Sequence, residues 1–230
     1  MLYNPGRRDS SLDQMLLWSA LLLAAVGLVM VYSASVALAG AERYTGFRQG
    51  YFLVRHAAYL AIGVAVAAAL FRVPVWLWQK ASPWLFLLGV ALLAVVLVPG
   101  LGREVNGSRR WLEVGIGTFQ PSELMKLFVV LYAADYTVRK AAFMDDFRKG
   151  FVPLFAVMTI IAFLLLREPD FGALVVVTLI AMAILFLGGL NWRLFAGLAA
   201  LLAVAFVAMI VSSPYRLQRI LGFMDPLADA

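Results

Sequence analysis

Five long stretches of this chain carry no charged residue: Met15 to Ala39, Ala81 to Gly102, Gly150 to Leu166, Phe171 to Trp192 and Leu194 to Tyr215. A helix that crosses a bilayer needs roughly 20 predominantly apolar residues. Four of the stretches reach that length, and Gly150 to Leu166 sits at the short limit. Backbone N–H and C=O groups have no water to bond in lipid, so runs of this kind are read as helices, which satisfy their own backbone. The bulk composition agrees. The chain is 64% apolar and 14% charged, where a soluble domain is about half apolar and about a quarter charged. The expected fold class is therefore all-α, a polytopic α-helical membrane protein.

Seven spans are predicted, at about 12–38, 52–71, 77–98, 121–138, 151–166, 170–188 and 192–212. The connections are short except for Pro99 to Gln120, read as a loop, and Arg139 to Gly150. The net charge of +6 does not point to nucleic acid, because the basic residues lie in short loops between apolar runs, where they flank spans and favour anionic membrane lipid. The positive-inside rule does not choose an orientation, since both sides carry equal numbers of basic residues. With the N-terminus inside, however, the outer side is entirely arginine, whose planar fork suits bidentate phosphate binding. The absence of cysteine excludes disulfides and thiolate metal sites, and the single histidine, His56, excludes a multi-histidine one.

Three polar groups stand where charge is expensive. Span 4 opens Gln120-Pro121-Ser122-Glu123 and reaches Lys126. Glu123 and Lys126 share a helix face at a spacing of three and are placed to pair. Charged groups within spans face a protein interior or a wet cavity, or snorkel to headgroups. Arg167-Glu168-Pro169-Asp170 sets three charges between two apolar runs. It reads both as a turn in which Asp170 caps span 6 and as an outward-facing polar site. In the C-terminal segment Arg216 and Arg219 precede Asp225 and Asp229. That combination suits phosphate binding beside a base, and equally an ordinary solvated loop.

These pieces resemble one family. Gly102-Arg103-Glu104-Val105-Asn106-Gly107-Ser108-Arg109-Arg110-Trp111 is similar to the loop signature of SEDS proteins, the FtsW/RodA group. Phe119 to Lys126 is similar to the next signature, and Glu168-Pro169-Asp170-Phe171-Gly172 and Pro214 to Arg219 follow in family order. The Arg-Glu-Val-Asn-Gly-Ser form and the segment Leu221 to Pro226 look more like the FtsW branch. The resemblance covers nearly the whole chain. The family has ten spans, so residues 1–230 look like a single SEDS-type transmembrane domain truncated at the C-terminus.

The resemblance implies a peptidoglycan glycosyltransferase of the bacterial cytoplasmic membrane at the division septum, with the N-terminus cytoplasmic and the catalytic loop outside. The substrates would be lipid II and the nascent glycan strand. The partners would be a class B penicillin-binding transpeptidase and other divisome membrane proteins, with no nucleic acid. The family's essential aspartate falls on Asp229, with Asp225 second. Leu227 stands where a Trp is common. Trp111, Glu123, Lys126 and Asp170 match positions of functional importance. A carboxylate base would accept the proton of an attacking sugar hydroxyl. The departing pyrophosphate needs positive charge, for which Arg109, Arg110, Arg216 and Arg219 are candidates, with a divalent metal ion, magnesium or manganese. A lipid II flippase and a non-enzymatic scaffold that recruits a transpeptidase are the alternatives.

Overall fold

A computed structural model of the chain describes residues 13–41, 50–105, 108–114 and 117–214. Among the described residues there are seven α-helices: α1 (Gln14–Ala41), α2 (Tyr51–Leu70), α3 (Val75–Val96), α4 (Pro121–Arg139), α5 (Val152–Arg167), α6 (Phe171–Leu187) and α7 (Trp192–Val211). Each overlaps one predicted span closely. Five of the helical segments are long and apolar enough to cross a membrane. The helices fall into two compact units, Met1–Pro74 and Val75–Ala230.

In the first unit α1 and α2 pack on each other. The window of each helix that fits a membrane span buries none of its residues. Leu16, Trp18, Leu22, Leu23, Val54 and Ile62 are all exposed. Helices that are apolar on every side and yet unburied have lipid as their solvent.

The second unit has a conventional core. Phe86, Leu93, Met125, Val129, Ile161, Leu165 and Val177 meet in one buried cluster drawn from α3, α4, α5 and α6. The Phe86 and Tyr132 rings stack at 4.3 Å between α3 and α4. A second cluster, including Tyr136, Phe151, Leu154 and Leu185, fills the other end. α4 packs most extensively on α3 and α6. It is also the helix whose charges keep it out of the five apolar spans. Wrapping that helix in protein removes most of the cost of carrying charge across lipid. Its Asp135 is buried, accepting hydrogen bonds from Ser82 Oγ on α3 at 3.1 Å and from Arg139 Nε one turn on at 2.7 Å. Ser82→Ala is expected to lower stability by about 2 kcal/mol, the scale of a lost hydrogen bond to a charged group. SDS-unfolding midpoints of the purified variant measure this.

Two features depart from the sequence reading. The short fifth span gains length at its start. Phe147–Phe151 forms a π-helical turn capped by Asp146, which accepts from the backbone N–H groups of Arg148 and Lys149. With α5 it makes a continuous helical segment of 21 residues, Phe147–Arg167. The other is the loop Pro99 to Gln120, which is a three-stranded antiparallel sheet in the order β1 (Gly102–Val105), β2 (Ser108–Val114), β3 (Gly117–Phe119). The register sets Glu104 opposite Arg109 and Arg103 opposite Trp111, with an irregularity between Arg103 and Glu104. Leu112 pairs with Phe119 on the other edge. β1 and β2 contact the end of α3, and β2 contacts α4.

Candidate functional site

The sheet, the first turn of α4 and the α5–α6 turn come together around one carboxylate, Asp170. Pro121 opens α4 at its first position, where a missing N–H costs nothing and the fixed φ suits the helix. This sets Gln120 and Ser122 at the mouth of the bundle. Gln120 Nε2 and Ser122 Oγ donate to Asp170 Oδ2 at 2.9 and 3.0 Å. The other oxygen, Oδ1, accepts from the Ala173 N–H at 3.1 Å, which makes Asp170 the N-cap of α6, as the sequence allowed. From β2, Arg110 brings its guanidinium to 3.8 Å from Asp170 Oδ1 and donates to Ser108 Oγ at 2.9 Å. Asp170 is 5% exposed, and its charge is thus held by three hydrogen bonds and one cation.

Glu168, two residues earlier, is fully buried, and neither of its carboxylate oxygens has a hydrogen-bond partner. Burial pushes its carboxyl up to about 8, the Asp170 charge adds to the push, and Arg110 opposes it more weakly. The Nε of Arg110 is likewise buried without a partner. Glu168, Gln120 and Ser122 were not singled out as site residues from the sequence. Their burial depends on how three separate elements meet, and only the charge density around Pro169 hinted at it.

The remaining candidates are placed as follows. Glu123 and Lys126 form the expected pair at 2.7 Å on α4. Glu123 is exposed and turned away from Ser122, whereas Lys126, one turn on from Ser122, is half-buried. Arg109 is ion-paired to Glu104 across the β1–β2 register at 3.1 Å, and Arg103 to Glu113 at 3.0 Å. Trp111 is half-buried on β2. Arg109 and Glu104 share an open cleft with Leu97, Phe163, Arg167 and Pro169. Arg167 lies over the Phe163 ring at 5.6 Å. The cleft sets two guanidinium groups beside apolar walls at the sheet end of α3 and α5, a combination suited to an amphiphile with an anionic head. Asp225, Asp229, Arg216 and Arg219 lie outside the described residues. Among the described residues no cluster of three or more His, Cys, Asp or Glu side chains is placed to hold a metal ion.

Membrane-spanning helices with a buried ion-pair site beneath a small sheet define a multi-pass membrane protein whose polar machinery sits at one end of the bundle. The chain belongs to the FtsW/RodA/SpoVE family of cell cycle proteins, whose model matches residues 13–230. A relative in Aromatoleum aromaticum, a probable peptidoglycan glycosyltransferase FtsW, is 56% identical over 229 residues, covering 100% of this chain and 56% of its own. One of the same description in Nitrosomonas europaea is 50% identical over 218 residues, covering 95% and 56%. The chain spans about half the length of the curated relatives it matches. Among solved structures, it is similar to a chain of a peptidoglycan synthase complex that coordinates polymerization and crosslinking. That match has 30% identity and TM-score 0.63, over 87% of this chain and 59% of that one. It is also similar to the rod shape determining protein RodA of Thermus thermophilus, with 31% identity and TM-score 0.58, over 79% and 58%. The expected fold class, a polytopic helical bundle, holds, with the small sheet added to it.

Proposed function

We propose that this protein is a peptidoglycan glycosyltransferase of the FtsW type, polymerising lipid II at the outer face of the bacterial cytoplasmic membrane during septal wall synthesis. The observation that carries the reading is the 56% identity, along the full chain, to a probable peptidoglycan glycosyltransferase FtsW. The site chemistry supports it. In the cleft Arg167, and Arg109 on release from its Glu104 pair, offer cations for a diphosphate, and Leu97 and Phe163 offer an apolar wall for the start of a lipid tail.

In the reaction, the 4-hydroxyl oxygen of one GlcNAc attacks the anomeric carbon at the end of the growing strand. The new glycosidic C–O bond forms as the bond to the lipid diphosphate breaks, with inversion. The hydroxyl proton goes to a carboxylate base, assigned to Asp229, with Asp225 as the second candidate. The diphosphate leaves with its charge matched by arginines: Arg109 and Arg110 from the sheet, and Arg216 and Arg219 from the segment after α7. A divalent cation, magnesium or manganese, would supply further charge neutralisation. Glu123, Lys126 and Trp111 contact the substrate, and the buried Asp170 acts on it through Arg110. A class B penicillin-binding transpeptidase is the partner, in keeping with the crosslinking complex to which the fold is similar.

The test is polymerisation of lipid II supplied in detergent to the protein carried at the length of its relatives. Polymer is expected with the natural sequence, and Asp229→Asn is expected to abolish it while membrane insertion is kept. A flippase would leave lipid II unpolymerised in this assay, and full polymerisation by Asp229→Asn would remove the base assignment.

A further inference from the structure

The proposed reaction gives no role to the fully buried Glu168 carboxyl. The neutral donors around it are committed elsewhere. Gln120, Ser122 and the Ala173 N–H all give their hydrogen bonds to Asp170. The charged groups acting on Glu168 are Asp170 on α6 and Arg110 on β2; Gln120 and Ser122, from α4, are neutral. A fully buried carboxylate with two unpartnered oxygens is far costlier than a neutral carboxylic acid in the same place. Charge balance says the same. Asp170 and Arg110 cancel, so the cluster is neutral only while Glu168 keeps its proton. Arg110 also has a buried, unused Nε–H, a donor available to a second anion.

We propose that Glu168 carries a proton and acts as a positioning residue for Arg110: neutral, it leaves Arg110 to Asp170, and on losing its proton it draws Arg110 away from Asp170. Arg110 links β2 to the α5–α6 turn, so the proton sets how the sheet is held over the bundle. The inference stands on the geometry of the cluster, and its tests need no turnover. Failure of the lipid II assay therefore leaves it intact, and its own failure leaves the proposed activity intact.

The experiment is infrared titration of the purified protein in detergent. The natural sequence is expected to show a protonated-carboxyl carbonyl band at pH 6 that disappears with a midpoint near 8. The band is expected to be missing in Glu168→Gln. No titrating band in the natural sequence, or the same band in Glu168→Gln, overturns the proposal. The natural protein alone decides the first of these if the variant fails to fold. A double-mutant cycle between Arg110 and Asp170 supplies the second arm. The coupling is expected to be present at pH 6 and diminished at pH 9, with this pH dependence lost in the Glu168→Gln background. Coupling that is the same at both pH values in the natural background overturns the switch. The stability profile carries a further sign. The folded carboxyl titrates above its unfolded value, so its contribution is full below the ordinary carboxylate range and is lost as pH rises through about 8. Glu168→Gln is expected to abolish that fall.

Discussion

Replacing Asp170 with alanine is expected to lower the unfolding free energy by about 3–5 kcal/mol, the range for removing one partner of a buried charged pair. Asp170 is 5% exposed and anchors four groups at once: Gln120, Ser122, the Ala173 N–H and Arg110. Alanine takes the counter-charge from the guanidinium of Arg110 and leaves two donors, Ser122 Oγ and the Ala173 N–H, without an acceptor, while Gln120 keeps only its bond to Ser122. It also removes the cap of α6, itself worth about 1 kcal/mol. These losses overlap, because one carboxylate serves all of them, so they do not add. Asp170→Asn separates the terms. It keeps one carbonyl acceptor of the same shape and gives up the charge, and it is expected to cost about 1.5–3 kcal/mol, the scale of charge-assisted hydrogen bonds. The same change takes a negative neighbour from Glu168 and is expected to move the titration of its carboxyl to lower pH. Detergent unfolding curves read the first effect, and the infrared midpoint reads the second. An Asp170→Ala protein as stable as the natural one would mean that the α4, α6 and β2 elements do not depend on this carboxylate.

The sequence was most informative where the solvent imposes the pattern. Lipid demands an unbroken apolar run, so the helices were visible, and α7 (Trp192–Val211) begins at its predicted residue. Where burial inside protein replaces burial in lipid, the pattern weakens. α4 was set apart by Glu123 and Lys126, and the Glu123–Lys126 pair forms at 2.7 Å. Yet nothing local announced that Asp135 would be enclosed by Ser82 from α3. The sheet was missed because Gly102 to Phe119 lacks a clean alternation of apolar and polar residues, its strand faces being occupied by Arg103–Glu113 and Arg109–Glu104 pairs. The usable signal was Asn106-Gly107, a strong hairpin dipeptide between Val105 and Ser108, which the register pairs. Glu168 reads from the sequence equally as part of a turn and of an outward-facing polar site. Its full burial is not legible there, because it needs the α5–α6 corner to be closed by distant elements such as β2, which reaches that corner through Arg110.

That closure depends on Gly102, and Gly102→Ala is expected to lower stability more than Gly89→Ala does. A Cβ on Gly102 would run into the carbonyl oxygen of Val96, the last residue of α3. The obstacle is backbone in a helix end, which cannot turn aside without breaking the final turn. At Gly89, in the α3–α4 seam, the added methyl meets the Met125 sulfur and the Phe128 ring. Methionine is the side chain best able to change rotamer and yield. Overpacking costs about 1–3 kcal/mol where neighbours adjust. Gly89→Ala is expected at the lower end of that range and Gly102→Ala at or above its upper end. The consequences also differ in place. Gly102 is the first residue of β1, and β1 is paired to the strand that carries Arg109 and Arg110. Moving it lifts both arginines, so Gly102→Ala is expected to weaken the Arg110–Asp170 coupling, whereas Gly89→Ala leaves it unchanged. Unfolding midpoints and the same Arg110–Asp170 mutant cycle, measured in both backgrounds, decide the matter. Equal losses of stability with coupling intact in both would show that the sheet is not seated on α3 through this glycine.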